Sequence, residues 1–406
     1  MSPPVPHLPD LRPTIAALPG SQIRAVANAA LGRPDVLAFW FGESDQVTPE
    51  PVRAAAAESL ARGETFYSHN LGLPELRQAL RQYLAGLHGD PGDERIAVTS
   101  SGVTALMTAM QLLLSPGDEV VCVVPVWPNL PAQPAILGAR LTRVPLAPDA
   151  HGAWRLDLQR LLQAVTPATR VLLLNAPNNP TGWTLTRDEQ QAILDHCRRT
   201  GTWIVADEVY DRLWYGDGPA PAAGGARPAS PACAPSFADL ATPQDRVIVV
   251  GSFSKAFLMT GWRLGWLLLP AGLIGPTGTL IEFNSSCAPV FVQRGGLQAL
   301  ALADTLVPPL VAHLHHCRDT LCDALATVPG VHLARPQAGM YAFFSMPGSG
   351  DSLACAQALV AEHGLGLAPG AAFGAEAQGW LRWCFASRDP QRLLDGVERL
   401  RGALRI

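Results

Sequence analysis

The sequence has few charged residues and no basic cluster. Charged side chains make up 16% of its 406 residues, and 34 acidic against 30 basic side chains give a formal net charge of -4. Because a nucleic-acid-binding surface needs clustered Lys and Arg, this composition argues against a nucleic-acid partner. Apolar residues make up 48% of the chain, which is too many for a disordered protein and enough for a large core in two or more domains.

Disulfide and zinc-finger patterns are also missing. The eight cysteines are scattered, with no CxxC pair and no histidine at zinc-finger spacing. This arrangement predicts neither a disulfide scaffold nor a structural zinc site, and we expect no metal. The first twenty residues are rich in proline and lack the basic head and apolar core of a signal peptide. The sequence therefore predicts a cytoplasmic protein.

One uncharged stretch, Leu264–Ile281, is as long as a membrane span. Two prolines and four glycines interrupt it, which a lipid-facing helix would tolerate poorly. We therefore predict a buried strand followed by a loop, and no membrane partner.

Seven short apolar runs alternate with helix-like segments between residues 95 and 270. They are IAVTS at 96, EVVCVVP at 119, RLTRVPL at 140, RVLLLNAP at 170, WIVADEV at 203, RVIVVGS at 246 and RLGWLLLP at 263. Continuous hydrophobicity is typical of strands buried on both faces of a mostly parallel sheet. Helices are predicted at Val103–Leu114 and Thr186–Arg199, the second opening with Thr186 and Glu189 as a capping box. The fold class is therefore α/β, with about seven strands in one sheet.

Two other regions have a different pattern. Residues 216–235 are rich in Gly, Ala and Pro and predict an irregular loop rather than a domain boundary. After about residue 289, amphipathic helices surround short strands near Gly339–Ser345 and Leu381–Phe385, which indicates a smaller α+β domain. These predicted helices are Val290–Ala303, Leu306–Thr327, Ser352–His363 and Pro390–Leu404.

Lys255 lies in the segment Gly251-Ser-Phe-Ser-Lys-Ala, directly after an apolar strand. Open α/β sheets bind their ligands at this carboxyl end of the strands. A lysine forms Schiff bases with carbonyl compounds once burial or a neighbouring cation lowers its pKa. Arg263 is a candidate for that cation, or for binding a phosphate together with Ser252 and Ser254. These neighbours disfavour the alternative of an exposed loop lysine.

Other strand ends place polar side chains at the same edge. Asp207 ends the strand Trp203-Ile-Val-Ala-Asp, where a buried carboxylate needs a partner such as a protonated pyridine nitrogen, although helix capping is an equal alternative. Tyr210 would reach the same space or pack as a core tyrosine. The segment from Asn175 to Gly182 predicts a rigid Asn/Pro loop with amide donors at this edge, or an ordinary turn.

Ser100–Ala105 joins a strand to a helix, so the first N–H groups of the helix and the positive end of its dipole favour a phosphate. The alternative is a simple N-cap. Trp127 offers a flat ring after the strand at 119, or belongs to the core. A reactive amine, a carboxylate for a ring nitrogen, a phosphate cradle and a stacking ring together match pyridoxal 5'-phosphate.

With these motifs the sequence resembles the class I/II, aspartate-aminotransferase-like, pyridoxal-phosphate aminotransferases of fold type I, over residues 35–404. The resemblance implies a seven-stranded, mostly parallel sheet with helices on both faces, plus a smaller α+β domain. It also implies three segments: an N-terminal arm with part of the small domain (1–45), a large cofactor domain (46–288) and a small C-terminal domain (289–406). Members of this family are homodimers with shared active sites.

The resemblance also implies a role for individual residues. Lys255 matches the Schiff-base lysine, and it is expected to be catalytic together with Asp207 and Tyr210. Gly42 and Arg382, with Asn179, match the contacts to a substrate carboxylate. The residues that match cofactor contacts are Ser101, Gly102, Val103, Trp127, Asn179, Asp207, Tyr210, Ser252, Ser254, Lys255, Arg263 and, reaching the neighbouring subunit, Tyr67.

The function implied is amino-group transfer from an amino acid to a 2-oxo acid, by a ping-pong route through an internal aldimine on Lys255. A β-eliminating lyase or a cyclising synthase would keep the same cofactor residues and remains an alternative. A transcriptional regulator would need a DNA-binding segment before the fold, which the first twenty-odd residues do not supply. An inactive relative would be expected to lack Lys255, Asp207 or Arg382. The donor, the acceptor and the role of Trp183 stay open.

Overall fold

The structure is a computed structural model that describes residues 11–92, 94–216 and 233–404. Residues 217–232 of the irregular segment predicted at 216–235 are not among the described residues.

The helices of the described residues form thirteen α-helical segments. They are α1 (Pro13–Ala16), α2 (Gln22–Ala29), α3 (Glu50–Ala61), α4 (Pro74–His88), α5 (Gly102–Leu113), α6 (Asn129–Ile136), α7 (Leu158–Ala164), α8 (Arg187–Thr200), α9 (Ile274–Ser285), α10 (Val290–Ala301), α11 (Ala303–Ala326), α12 (Ser352–His363) and α13 (Gln391–Leu404). Short 3-10 helices lie at Phe237–Asp239, Thr260–Trp262, Gly370–Phe373 and Ala375–Ala377.

Fifteen strands are found in the same residues. They are β1 (Leu37–Ala38), β2 (Ile96–Thr99), β3 (Glu119–Val124), β4 (Arg140–Pro145), β5 (Ala147–Pro148), β6 (Trp154–Arg155), β7 (Thr169–Asn175), β8 (Trp203–Asp207), β9 (Val247–Ser252), β10 (Gly265–Leu268), β11 (His332–Leu333), β12 (Tyr341–Ser345), β13 (Leu365–Gly366), β14 (Ala368–Pro369) and β15 (Trp380–Cys384).

The predicted seven-stranded sheet is confirmed, and its strand order is β2-β10-β9-β8-β7-β3-β4. All neighbouring strands are parallel except β10, which runs antiparallel to both β2 and β9. Successive side chains of strand β3 pack in two different hydrophobic clusters, one on each face of the sheet. Val121 and Val123 belong to one cluster, and Val120 and Cys122 belong to the other. Both faces of the sheet are therefore buried except at the edge strand β4, which explains the continuous hydrophobicity of the other runs.

The parallel strands bring their carboxyl ends to one edge of the sheet. Asn175 ends β7, and its Cα pairs in register with that of Asp207 at the end of β8. The predicted helix after β7 is confirmed as α8, and Thr186 caps it through the expected capping box with Glu189. The sheet thus delivers several of the predicted polar residues to the same place.

The loop predicted within Leu264–Ile281 is wrong after residue 273, because helix α9 begins at Ile274. Pro276 lies in the first turn of that helix, where a missing N–H removes no intrahelical hydrogen bond. Gly278 is in close contact with Asn70 and Leu71, since a Cβ there would lie 3.3 Å from both side chains. Proline and glycine here mark a helix start and a close packing contact, not a loop.

A four-stranded sheet of order β11-β12-β15-β14 follows, together with α11, α12 and α13. The strands predicted near 339–345 and 381–385 are β12 and β15, which pair antiparallel. Strand β1 pairs in parallel with β13, so residues near 37 join this C-terminal part of the chain. Helix α10 packs against α3 and α4. The domain boundaries at 45 and 288 stay a prediction.

In the described ranges, no individual helix combines the length and the apolar character needed to cross a bilayer. By length and composition alone, the bent pair α10 and α11, which meet at 78°, passes that test together.

Candidate active site

Lys255 follows β9 by three residues and lies at the carboxyl edge of the large sheet. Its Nζ donates a hydrogen bond to the carbonyl oxygen of Gly42 at 2.6 Å and lies 5.6 Å from the centre of the Tyr210 ring. The side chain is half-buried. Burial lowers the pKa of Lys255 to about 8, and the charges of Arg382 and Arg263 act in the same direction. A neutral, nucleophilic amine is therefore accessible near neutral pH.

Asp207 is the last residue of β8 and is 2% exposed. Burial raises the pKa of its carboxyl group to about 7, opposed by the Val209 backbone and the charge of Lys255. Within the described part of the chain, its carboxylate accepts one hydrogen bond, from the N–H of Val209 at 3.4 Å. A buried carboxylate with so little support favours a cationic ligand beside it.

Tyr210 lies three residues beyond Asp207 and is buried. Its hydroxyl shares a hydrogen bond of 2.7 Å with the hydroxyl of Tyr341, and the two rings meet edge to face. Burial and the neighbouring Tyr341 raise the pKa of Tyr210 well above its usual value. Both hydroxyls therefore stay protonated at neutral pH and act as donors or acceptors.

Arg382 lies on β15 of the small sheet and is 2% exposed. Its Nη1 donates to Oδ1 of Asn179 at 2.8 Å, and its Nη2 donates to the carbonyl oxygen of Trp40. The guanidinium carbon lies 4.4 Å from the centre of the Tyr341 ring and 4.9 Å from that of Phe373. Its buried Nε has no hydrogen-bond partner in the described residues. The guanidinium is thus held against two aromatic rings, and its Nε–H is available to donate a further hydrogen bond.

The predicted phosphate cradle lies at the start of α5. Ser101 is its N-cap and accepts from the N–H of Thr104 at 3.0 Å, so the N–H groups of Gly102 and Val103 lie in the first, unpaired turn. A Cβ on Gly102 would lie 3.2 Å from Cβ of Ser252, and one on Gly265 would lie 2.5 Å from the nitrogen of Gly102. Glycine is therefore needed at 265, where the nearest atoms are backbone, whereas a Cβ at 102 would make a tight contact with Ser252.

Ser252 lies beside the same helix start and is hydrogen-bonded to Ser254 and to the carbonyl oxygen of Leu264, the residue after Arg263. The hydroxyl of Ser252 accepts from the N–H of Ser254 at 3.1 Å, and both serines are buried. Arg263 is exposed and has a left-handed backbone, with φ of 55°. Its Nη1 donates to the carbonyl oxygen of Thr260 at 2.7 Å. Serine hydroxyls, a cation and free N–H groups together suit an anion such as phosphate.

The remaining predicted residues differ in how closely they join the cluster. The N–H of Trp127 donates to the carbonyl oxygen of Asn179 at 2.9 Å, so its backbone lies at the same edge, and its side chain is half-buried. Gly42 faces Tyr341 so closely that a Cβ would lie 2.0 Å from the tyrosine hydroxyl. Tyr67 is 88% exposed on the protein surface. Its expected contact with a second subunit stays a prediction.

Sequence reasoning missed three contributors: Tyr341, Phe373 and the backbone of Trp40. Tyr341 contacts both Tyr210 and Arg382, but it lies inside an ordinary apolar strand, β12. Phe373 packs on Arg382 from a short 3-10 helix, and Trp40 contributes only its carbonyl oxygen. Neither carries a motif. Trp183, to which the sequence assigned no role, is buried in the core.

The family model "Aminotransferase class I and II" matches residues 35–400. The arginine–pyruvate transaminase of Pseudomonas aeruginosa is 32% identical over 384 residues, covering 94% of this chain and 91% of that protein. A probable aspartate/prephenate aminotransferase of Aquifex aeolicus is 30% identical over 377 residues, covering 91% of each.

A solved structure of the same family has a similar fold. The aspartate aminotransferase of Thermus thermophilus, solved with maleate, superposes with a TM-score of 0.85 at 29% identity, covering 96% of this chain and 98% of that one. The fold class expected from the sequence is confirmed.

Proposed function

Because this chain belongs to the class I and II aminotransferase family and uses pyridoxal phosphate, we propose that it moves an amino group from an amino acid to a 2-oxo acid in two half-reactions. The amino group stays on the enzyme between them, so one product leaves before the second substrate binds. The observation that carries this proposal is the convergence of Lys255, with its lowered pKa, and the poorly supported carboxylate of Asp207 at one sheet edge.

The residues present fit pyridoxal phosphate. Asp207 lacks a cationic hydrogen-bond partner among the described residues, and a protonated pyridine nitrogen is such a partner. Tyr210 and Asn179 would hold the ring oxygen, and the start of α5 with Ser252, Ser254 and Arg263 would hold the phosphate. Trp127 would stack on the ring. When bound, the cofactor supplies an aldehyde that condenses with amines and a ring that withdraws electrons from the substrate Cα.

The chain's own residues would then bind and orient the substrate. Arg382 would take the α-carboxylate, because its guanidinium is fixed between Tyr341 and Phe373 and charge-assisted hydrogen bonds to a carboxylate are strong. A fixed carboxylate orients the Cα–H bond toward Lys255. The Nζ of Lys255, with a pKa of about 8, would accept and return the Cα proton. Asp207 would stay ionised beside the ring nitrogen.

The assembly and the segment boundaries belong to the same proposal. We infer a homodimer in which Tyr67 reaches the cofactor of the other subunit, since its ring is exposed at the surface. The three segments 1–45, 46–288 and 289–406 remain the proposed domains, and the pairing of β1 with β13 supports the assignment of the N-terminal arm to the small domain. A cytoplasmic location is likewise proposed from the sequence alone.

The test uses a property of the composition. Lys255 is the single lysine in the sequence, so a side-chain amine that condenses with an aldehyde has one candidate. Borohydride reduction of the holoenzyme should remove its visible colour and leave one pyridoxyl group on the peptide that contains Lys255. Lys255→Arg, which keeps the charge, should show neither the adduct nor turnover. An adduct elsewhere, such as the N-terminal amine, or a full rate in Lys255→Arg, would refute the assignment.

Reaction products test the transfer itself. Incubation with an amino donor and a 2-oxo acid should give the matching pair of products without release of ammonia. Stoichiometric ammonia would instead indicate an eliminating activity.

A further inference from the structure

A second polar cluster lies outside the proposed site and consists of His88, Asp211 and Cys233. His88 is the last residue of α4, Asp211 follows Tyr210, and Cys233 is the first described residue after 217–232. One ligand atom from each lies within 4.8 Å of the other two. The side chain of His88 is 4% exposed and that of Asp211 is 19% exposed. The three residues are far apart in sequence, so no spacing motif announced the cluster.

The distances in the cluster suit a tetrahedral metal ion. Nε2 of His88 lies 3.6 Å from Sγ of Cys233 and 3.9 Å from Oδ2 of Asp211. Metal–ligand lengths typical of zinc place N and S about 3.6 Å apart and N and O about 3.4 Å apart in a tetrahedron. The N···S distance therefore already suits zinc, and the N···O distance needs to shorten by about half an ångström. The thiol and carboxylate atoms lie within 4.8 Å of each other and would have to approach to about 3.6 Å.

The orientation of the imidazole supports the same interpretation. Nδ1 of His88 forms a hydrogen bond of 3.0 Å with Oδ1 of Asp239. A carboxylate on one ring nitrogen fixes the tautomer and leaves the other nitrogen for the metal, as is usual for zinc-binding histidines. Asp239 is in turn held by Arg187 at 3.1 Å. Nε2 is thus directed at Cys233 and Asp211.

The other two residues are held in place by backbone contacts. Oδ1 of Asp211 accepts from the N–H of Arg212 at 2.7 Å, which leaves Oδ2 facing His88. The N–H of Ala234 donates to the carbonyl oxygen of Asp211 at 2.8 Å and so ties the residue after Cys233 to Asp211. A ligand set supported in this way loses little conformational freedom on binding.

The charges also suit a divalent ion. A thiolate, a carboxylate and a neutral imidazole together neutralise a dication in a partly buried site. The nearby cation Arg212 is engaged by Tyr83, to whose hydroxyl it donates at 2.9 Å. A proton on His88 competes with the metal ion. Burial lowers the pKa of His88, but the hydrogen bonds with Asp211 and Asp239 outweigh this effect and raise the pKa well above its usual value.

We propose that His88, Asp211 and Cys233 bind one zinc ion, with water in the fourth position and Asp239 as the positioning residue of His88. The ion would link the end of α4 to the turn after β8 and to the segment that begins at Cys233. The three proposed zinc ligands are residues that the transamination chemistry does not use.

The test measures metal binding by the chelator-treated holoenzyme. Zinc, titrated against a chromophoric chelator, should bind at one equivalent per chain. Cobalt in its place should give the absorption of a tetrahedral ion with a thiolate-to-metal band. Cys233→Ser should abolish the thiolate band, and Asp239→Asn should weaken zinc binding by about 10- to 100-fold.

Cys355→Ser is the matched control, because Cys355 is also half-buried but lies on α12, away from the cluster. It should bind zinc like the parent protein. The visible absorption of the cofactor and the melting temperature show whether each variant is folded. Absence of a one-to-one complex in the parent protein would show that the cluster holds no metal, and an unchanged cobalt spectrum in folded Cys233→Ser would show that the metal binds elsewhere; either result would overturn the proposal.

Discussion

Replacing Asp207 with asparagine should stabilise the cofactor-free protein at alkaline pH while it impairs catalysis. Burial raises the pKa of Asp207 from an ordinary value of 3.8 to about 7. The folded state therefore binds this proton more tightly than the unfolded state. Ionisation then costs folding free energy as the pH rises from about 4 to about 7, and the cost levels off above that range. A gap of about three pH units corresponds to about 4 kcal/mol.

Asparagine has a similar shape and does not ionise, so any constant effect of the substitution is the same at every pH. The free energy of unfolding should be measured by urea titration of both cofactor-free proteins at pH 5, 6, 7 and 8. The difference in favour of Asp207→Asn should grow by about 2 to 3 kcal/mol between pH 5 and pH 8. The cofactor serves as an internal control, because a protonated ring nitrogen would pair with Asp207. Pyridoxal phosphate should therefore stabilise the parent protein more than the variant.

A difference in unfolding free energy that stays constant from pH 5 to pH 8 would refute this reasoning. It would mean that ionisation of Asp207 does not lower the free energy of unfolding of the cofactor-free protein, and that the role of Asp207 at the sheet edge is structural.

Two further predictions concern the substrate and the assembly. Arg382→Lys should lower kcat/KM for every α-amino acid by about 30-fold or more, since a lysine cannot reproduce the paired hydrogen bonds of a guanidinium, whereas an amine without an α-carboxylate should be little affected. Arg143→Lys is its control, because Arg143 makes a bidentate ion pair with Glu376 and should change stability without distinguishing the two substrates; equal kinetic losses for both substrates in Arg382→Lys would contradict the carboxylate role. Mixing a Tyr67→Ala variant with a Lys255→Ala variant should recover activity, because a hybrid dimer has one site free of both substitutions, and an active monomer in sedimentation at assay concentration would rule this out.

The large sheet was predictable from the sequence because six of its seven strands are largely buried on both faces, the edge strand β4 being the exception. Each of the seven apolar runs became a strand with limits within about two residues, and the capping box of Thr186 and Glu189 fixed the start of α8. The helix α9 was not predictable in the same way, since Pro276 and Gly278 have the composition of a loop. Only the position of Pro276 in the first turn and the contact of Gly278 with Leu71 make them compatible with a helix.

The candidate site shows the same division. Lys255 and Asp207 follow apolar strands directly, so their place at the sheet edge follows from local pattern. Tyr341 contacts Arg382 because β12 pairs with β15, and Phe373 contacts it from the 3-10 helix Gly370–Phe373. Strand pairing and helix packing of this kind have no local signal in the sequence. The same holds for His88 and Cys233, which are brought together only when α4 packs beside the turn that follows β8.

The pairing of β2 has a consequence for folding during synthesis of the chain. This strand, Ile96–Thr99, lies at the end of the large sheet and pairs only with β10, Gly265–Leu268. A nascent chain on the ribosome therefore carries β2 without its partner until more than 160 further residues have been synthesised. Strand β1 waits longer still, because β13 lies at Leu365–Gly366. Pairing of β2 and β1 must therefore wait until β10 and β13 have been synthesised, and an apolar strand such as β2, left unpaired for that time, is a segment that a chaperone would bind.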